Sequence, residues 1–309
     1  MPKHPLPLVS VLMPFYNEGR YLDRAISSVL SQSYLNLQLI LIDDNSTDNS
    51  LDIAERFARV DKRITIIRHE QNKGGALALA AAVARADGDL IARHDADDWS
   101  APTRIERQVA FLQRNESVSL CGTFAFDVHP DGTTDLLDRE ISDARIKIDG
   151  MFRMPLLTTT TMGRRELFVK HGCEDHTVEK CGDYCLYALY FDEYELANIP
   201  DILMYKQVHA ASATGSKSEI VRKCDMEARR RALQKLDLNP TEHQLACHER
   251  LAPQSQIEKT RMNWLPPVEQ CDLSTWTKVL REANERKKVF ESRSLEAFLD
   301  ERLKDVSKG

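Results

Sequence analysis

The sequence predicts an α/β fold: a Rossmann-like, mostly parallel sheet flanked by helices, with a helical region at the C-terminal end. Three observations lead there. Over the first hundred residues, short runs rich in β-branched residues alternate with stretches of helical spacing. Two of those runs end in acidic turns, as suits the carboxyl edge of an open parallel sheet, where such sheets bind their ligands. Beyond Ser212, Gly and Pro thin out and long polar-rich helical patterns begin.

Leu8 to Met13 reads as a buried strand stopped by Pro14. Leu22, Ile26, Val29 and Leu30 then fall at helical spacing within Tyr21 to Leu30. Leu37 to Ile42 is a second strand that runs into Asp43-Asp44-Asn45-Ser46-Thr47-Asp48, where Ser46 or Thr47 can cap the helix carrying Leu51, Ile53, Ala54 and Phe57. Ile64 to Ile67 is a third strand, followed by Asn72-Lys73-Gly74-Gly75 and an alanine-rich helix from Ala76 to Ala86, whose small side chains suit close packing on a sheet. Leu90 to Ala92 is the fourth, ending in His94-Asp95-Ala96-Asp97-Asp98. Such alternation implies parallel strands joined by right-handed crossovers. Farther on, Val118 to Phe126 and Leu156 to Met162 read as strands, and Arg164 to His171 and Asp183 to Tyr190 as helices. Glu219 to Leu236 and Thr275 to Lys304 are helical, and Ala213–Ser218 reads as a loop. The expected organisation is a sheet domain over 1–215, with halves at about 1–100 and 101–215, and a helical region over 216–309.

Composition narrows the function. Lys and Arg number 42 against 48 Asp and Glu, a net charge of −6, which argues against a dedicated nucleic-acid binder. No apolar run approaches the ~18–20 residues that span a bilayer, and the first residues lack the apolar stretch of a signal peptide. The seven cysteines, an odd number, suit reduced thiols. A cytoplasmic protein is expected. His171, Cys173, His176, Cys181 and Cys185 could supply a zinc site, but their spacing fits no paired Cys-x-x-Cys pattern, and ordinary packing is the better reading.

The chemistry sits at the strand ends. Asp95, Asp97 and Asp98 fall within four residues, and like charges so close are best tolerated around a cation. Hard carboxylate oxygens favour Mg²⁺ or Mn²⁺, which take one or two protein carboxylates and leave the other positions to phosphate and water. An acidic helix N-cap ahead of Trp99 and Pro102 is the simpler alternative. Asp43 and Asp44 end a second strand at the same edge, and Pro14-Phe15-Tyr16-Asn17 brings an aromatic ring there, able to stack on a base. Ring, carboxylate and metal turn together describe a nucleoside-diphosphate pocket. Neither Gly-x-Gly-x-x-Gly after the first strand nor a P-loop motif is present.

Val9 to Asn17, Leu41 to Asp48, Asn72-x-Gly74 and Asp89 to Asp98, in this order, resemble the family 2 inverting glycosyltransferases of the GT-A fold over roughly Leu8 to Ser212. The resemblance implies sugar transfer from a nucleotide donor, most often a uridine diphosphate sugar, with inversion at the anomeric carbon. It assigns Pro14, Tyr16 and Asn17 to the segment around the nucleobase, Asp44 to the base and Lys73 to the nucleotide side. Asp95 matches the first acid of the Asp-x-Asp motif, near the ribose, and Asp97 the metal ligand. Arg93 precedes that motif in many members. Met162 to Phe168, with Arg164 and Arg165, matches a basic segment before the acceptor region. His209 lies in a closing segment that approaches the metal or the diphosphate. The acceptor-side Glu-Asp pair reads Gly182-Asp183 here, so Asp183 matches the catalytic base while the glutamate is absent; Glu174, Asp175 and Glu179 are its nearby competitors.

The resemblance thus implies a nucleotide-sugar donor, Mn²⁺ or Mg²⁺ as cofactor, and a glycan or lipid-linked acceptor in surface polysaccharide synthesis. Peripheral contact with the inner face of a membrane, or oligomerisation, is left to the C-terminal helices, whose mixed charge suits a solvated face. A sugar nucleotidyltransferase, or a sugar-nucleotide-binding protein without turnover, are the alternatives. The first would ordinarily carry a glycine- and arginine-rich loop after strand one, and the second is disfavoured by Asp97 and Asp183 occurring together.

Overall fold

The computed structural model describes residues 6–177, 181–209, 219–253 and 271–307. The expected loop Ala213–Ser218, Ser212 and Glu179 lie outside them. In chain order the elements are β1 (Val9–Phe15), α1 (Leu22–Leu30), β2 (Leu37–Asp43), α2 (Ser50–Val60), β3 (Ile64–Arg68), α3 (Gly75–Arg85), β4 (Leu90–Arg93), β5 (Trp99–Ser100), α4 (Arg104–Arg114), β6 (Val118–Val128), β7 (Thr134–Leu137) and α5 (Asp143–Asp149). They continue with β8 (Met162–Arg164), α6 (Arg165–His171), α7 (Gly182–Tyr190), β9 (Glu195–Gln207), α8 (Glu219–Gln234), α9 (Glu242–Arg250), α10 (Leu273–Lys287) and α11 (Ser292–Val306).

Two compact units result. The first comprises Met1–Arg139, Leu156–His176 and Ala197–Gly215; the second comprises Glu140–Pro155, Thr177–Leu196 and Ser216–Gly309. The C-terminal helices therefore share their unit with two segments drawn from earlier in the chain.

The first unit is a mixed sheet in the order β3-β2-β1-β4-β8-β6-β9-β5, with β7 paired to β6. Its β3-β2-β1-β4 half is parallel, as the alternation of strand and helix requires. The pairs β4–β8, β8–β6, β6–β7 and β9–β5 are antiparallel. Val9 lies opposite both Leu37 and Leu90, so β1, β2 and β4 deliver their carboxyl ends to one edge. The strand alternation buries Val9, Val11, Met13, Leu39 and Leu41 in one cluster with Leu22, Ile26 and Val29 of α1. Each such side chain, fully buried, contributes roughly 1.5–3 kcal/mol.

Three expectations are corrected. Pro14 does not end β1, which runs on to Phe15. β4 stops opposite Leu12, so no strand there calls on the amide hydrogen that proline lacks. Leu156 to Met162 is not a strand: Thr158–Thr160 forms a 3₁₀ turn, and only Met162–Arg164 is extended. The Thr160 hydroxyl donates to the Leu157 carbonyl at 2.7 Å and that of Thr161 to Thr158 at 2.8 Å, offering the backbone a turn instead of a ladder. Likewise α2 is not capped by Ser46 or Thr47; Asp48 accepts from the Ser50 amide at 3.0 Å.

In the second unit the core is aromatic: Phe152 stacks on His248 at 4.2 Å and on Phe298 at 5.2 Å. Asp272 caps α10 and Glu291 caps α11. Among the described residues no helix is long and apolar enough to cross a membrane.

His248 is fully buried and neutral, its pKa pushed down to about 3 mainly by burial. Its Nε2–H donates to the Met151 carbonyl at 2.9 Å, and its Nδ1 accepts from the Trp276 indole at 3.1 Å. Protonation would put a hydrogen on the nitrogen that must accept. Because the folded pKa lies below the unfolded value near 6.5, the unfolded chain binds the extra proton between about pH 6.5 and 3, and stability falls as pH falls through that window. Urea unfolding from pH 7 to pH 4 should show a shallower pH slope in His248→Gln than in the native chain, by up to about 1.4 kcal/mol per pH unit. An unchanged slope would mean that His248 titrates normally.

Candidate active site

The site is assembled from the carboxyl ends of β1, β2 and β4 and the end of β9. After β1 the chain turns sharply at Asn17, a non-glycine residue at φ +58°. Asn17 is held there by its amide hydrogen on Ser46 Oγ (3.1 Å), while its Oδ1 accepts the amides of Thr47 (2.8 Å) and Asp48 (3.3 Å). The Gly19 amide donates to Asp48 Oδ2 at 3.0 Å, and a Cβ on Gly19 would fall 2.0 Å from Asn49 Oδ1. The loops after β1 and β2 are thus clasped together. Tyr16 is left 45% exposed beside them.

Asp44 is buried and fully engaged. His69 Nδ1 and the Lys73 amide donate to Oδ1 at 2.7 and 2.9 Å, and the Gly74 amide to Oδ2 at 2.7 Å. Gly74, at φ +86°, makes that turn possible. Lys73 is exposed, and its main chain serves Asp44.

The turn after β4 is pinned at both flanks. Arg104, fully buried, donates from Nη2 to the Arg93 carbonyl at 2.7 Å and from Nη1 to Ser100 Oγ at 3.1 Å. Within the turn, His94 Nδ1–H donates to the Asp95 carbonyl at 2.8 Å, and the Asp95 amide to Thr159 Oγ1 at 3.0 Å. Burial, with the charge of Arg104, pushes His94 down to about 3, so it is a neutral donor. Arg93 lies beside the turn: Nη2 reaches Glu174 Oε1 at 2.9 Å and Asp95 Oδ1 at 3.8 Å. Asp97 Oδ2 accepts from His209 Nε2 at 3.0 Å, bringing the end of β9 onto the acidic turn.

Two acids of this edge, Asp97 and Glu18, are held above the usual carboxylate range. Burial and then Asp95 push Asp97 up, and burial followed by Asp97, Asp48 and Asp95 pushes Glu18 up to about 7. Asp98, almost wholly buried, is pushed up to about 8 by burial, which outweighs Lys206 at 3.9 Å. An edge so short of positive charge suits a cation. The donors fit a hard divalent ion: carboxylate oxygens of Asp95 and Asp97, with the His209 imidazole adjacent. Among the described residues no group of three or more His, Cys, Asp or Glu side chains is arranged to hold a metal alone. That matches Mg²⁺ or Mn²⁺ taking few protein ligands and completing its shell with phosphate and water.

The structure thus brings Pro14, Tyr16, Asn17, Asp44, Lys73, Arg93, Asp95, Asp97 and His209 to the edge elements named above. Arg164 and Arg165 are corrected. Arg164 lies opposite Leu90, the first residue of β4, whereas the acidic turn follows its last. Its guanidinium donates to the carbonyls of Leu112 and Glu116 past the end of α4, and Arg165 donates to the Ala86 carbonyl at the end of α3. Both arginines cap helix C-termini. Asp183 belongs to the second unit, where it opens α7, half-buried, its Oδ1 accepting the Tyr184 amide at 2.8 Å. Sequence reasoning missed Glu18, Thr159, Gln207 and Arg24. Only Glu18, next to Asn17 in the turn, carried a readable signal.

The model of glycosyl transferase family 2 matches residues 10–173, more than half of the chain. The chain belongs to that family. EpsE of Bacillus subtilis, assigned as a glycosyltransferase, is 48% identical to the family 2 chain over 118 residues, 38% of this chain and 42% of EpsE. TuaG of Bacillus subtilis, assigned as a glycosyltransferase of teichuronic acid biosynthesis, is 38% identical over 117 residues, 38% of this chain and 46% of TuaG. The aligned part thus spans less than half the length of these relatives. Among solved structures, Staphylococcus aureus TarS 1-349 in complex with UDP aligns with 97% of this chain and 88% of its own, at TM-score 0.61 and 18% identity. The mannosyltransferase PcManGT from Pyrobaculum calidifontis, in complex with GDP-Man and Mn²⁺, does so at TM-score 0.56 and 16% identity, with the same coverage. These likenesses establish the GT-A fold of the family 2 chain.

Asn17→Ala removes the acceptor of two amides and a residue type tolerant of positive φ, which should cost about 1–3 kcal/mol. Thermal unfolding should register that loss, and the two clasped loops should become more susceptible to hydrogen exchange. Unchanged exchange in residues 45–49 would show that the clasp does not depend on Asn17.

Proposed function

We propose that this chain is an inverting glycosyltransferase that moves a sugar from a nucleotide diphosphate donor, a UDP-sugar, to a hydroxyl of a glycan or lipid-linked acceptor in surface polysaccharide synthesis. The observation that carries the reading is the charge-deficient edge where Asp97 meets His209 and Asp95 stands beside them, at the ends of parallel strands. Family membership supports the reaction class, TuaG supports the acceptor class, and TarS, solved with UDP, supports the donor.

In this reading Tyr16 faces the base, with Pro14 and Asn17 shaping its loop, while Asp44 and Lys73 order the turn beside it. Asp95 and Asp97, with His209, would hold Mn²⁺ or Mg²⁺. That ion, when bound, offsets charge growing on the departing diphosphate. Asp183 takes the proton of the acceptor hydroxyl as its oxygen attacks the anomeric carbon from the face opposite the leaving group. The bond from that carbon to the diphosphate oxygen breaks with its electron pair, and no covalent enzyme intermediate forms. Residues 1–215 would carry this chemistry, and 216–309 would serve acceptor docking, oligomerisation or contact with the inner face of a membrane.

Titration calorimetry with UDP should give affinity at least tenfold higher with Mn²⁺ than with a chelator, and Asp97→Ala should abolish the difference. Equal affinity in both conditions would remove the metal from this turn.

The base assignment is tested by turnover with a panel of nucleotide sugars. Asp183→Asn should lower transfer by about 10²–10⁴ while leaving UDP affinity unchanged. Near-native transfer in Asp183→Asn, with loss in Asp175→Asn or Glu179→Gln, would move the role to one of those acids.

A further inference from the structure

Arg24 belongs to none of the motifs considered above, yet it stands in the first turn of α1 against the acidic turn. Its guanidinium lies 3.6 Å from the centroid of the Trp99 ring. Trp99 in turn stacks on Tyr205 at 5.3 Å with the planes 11° apart, and Phe126 supports Tyr205 from 6.3 Å. A cation seated on an aromatic face is held without spending its hydrogen-bond donors. Only Nη2 is engaged, donating to the Asp97 carbonyl at 3.3 Å and to Gln207 Oε1 at 3.0 Å. Both acceptors are neutral, and among the described residues Arg24 forms no ion pair. The rest of the patch is already familiar: His209 bonds Asp97 at 3.0 Å, and Tyr21 packs on the His209 ring at 4.8 Å.

The charge balance gives this arrangement a purpose. A nucleotide sugar brings about two negative charges and the released diphosphate about three, since a terminal phosphate has a second pKa near 6. A divalent ion held by Asp95 and Asp97 is neutralised by those two carboxylates and leaves no surplus for the phosphates. Asp48 adds negative charge close by, and Lys206 faces the buried Asp98. Arg24 is a fixed cation at the turn with Nε and Nη1 still to spend, and a planar guanidinium suits two adjacent phosphate oxygens.

We propose that Arg24 is a phosphate-binding residue, whose Nε and Nη1 take a phosphate oxyanion set down beside Asp97. This rests on the donor reading above. The phosphate belongs either to the donor diphosphate or to a phosphate-bearing acceptor, and two arms of one experiment separate these sources.

The test uses the full chain with saturating Mn²⁺ and titrates UDP, uridine, and then glycerol 1-phosphate into UDP-saturated protein, for the native chain, Arg24→Ala and Arg24→Lys. Arg24 is exposed, so both variants should keep the native melting temperature. If the phosphate is the donor's, Arg24→Ala weakens UDP roughly 10–100-fold, leaves uridine unchanged, and is only partly rescued by Arg24→Lys, which lacks the planar fork. If it is the acceptor's, UDP affinity holds and glycerol 1-phosphate binding is lost. The proposal is overturned if Arg24→Ala changes neither ligand, or if uridine falls in step with UDP, since then only the turn's shape was disturbed. A native chain that binds no UDP with Mn²⁺ sinks the donor reading and this proposal with it.

Discussion

Negative charge gathered at one edge of a parallel sheet is the constraint on which the candidate site depends. Burial and the neighbouring acids raise the proton affinity of Asp97 and Glu18, and isolated carboxylates would swing apart into solvent. The fold prevents that with hydrogen bonds around the turn. Arg104 grips the Arg93 carbonyl before the acidic turn and the Ser100 hydroxyl after it, Thr159 takes the Asp95 amide, and Asn17 ties the loops after β1 and β2 together. The electrostatic cost of holding acids close is met by backbone hydrogen bonds, so the site is prepared before any ligand arrives.

Much of this was legible in the sequence, and the limits have physical causes. Parallel strands are buried on both faces, so their β-branched runs stand out, and their carboxyl ends announced where Asp44, Asp95 and Asp97 would gather. The antiparallel half was harder to read. β5 is two residues long, too short for a period, and the 13-residue β9 is interrupted by Asn198, Pro200 and Asp201. The Thr160 and Thr161 hydroxyls bond carbonyls three residues back, which no count of hydrophobic residues detects. Arg164 and Arg165 looked like anion-binding residues because charge is visible in a sequence while its partners are not; their partners are helix carbonyls. Arg24 was invisible because its place depends on Trp99 and Gln207, distant along the chain.

The two units bear different kinds of information. The family model ends at residue 173, within the first unit's segments, and the aligned part of EpsE covers only 118 residues. The residues matched by the family lie mostly in the first unit, whereas the second unit is built on its own aromatic core, in which His248 is fixed as a neutral link between Met151 and Trp276. Asp183 lies in that unit.

The central claim is that the acidic turn shares one cation with the phosphates of the donor. Electron paramagnetic resonance of free Mn²⁺ tests it directly, with the protein titrated alone and with UDP. The account predicts weak uptake of Mn²⁺ by the protein alone, strong uptake when UDP is added beyond that of UDP itself, and loss of that cooperative uptake in Asp97→Ala. Uptake that is equal with and without UDP, or that survives Asp97→Ala intact, would contradict it.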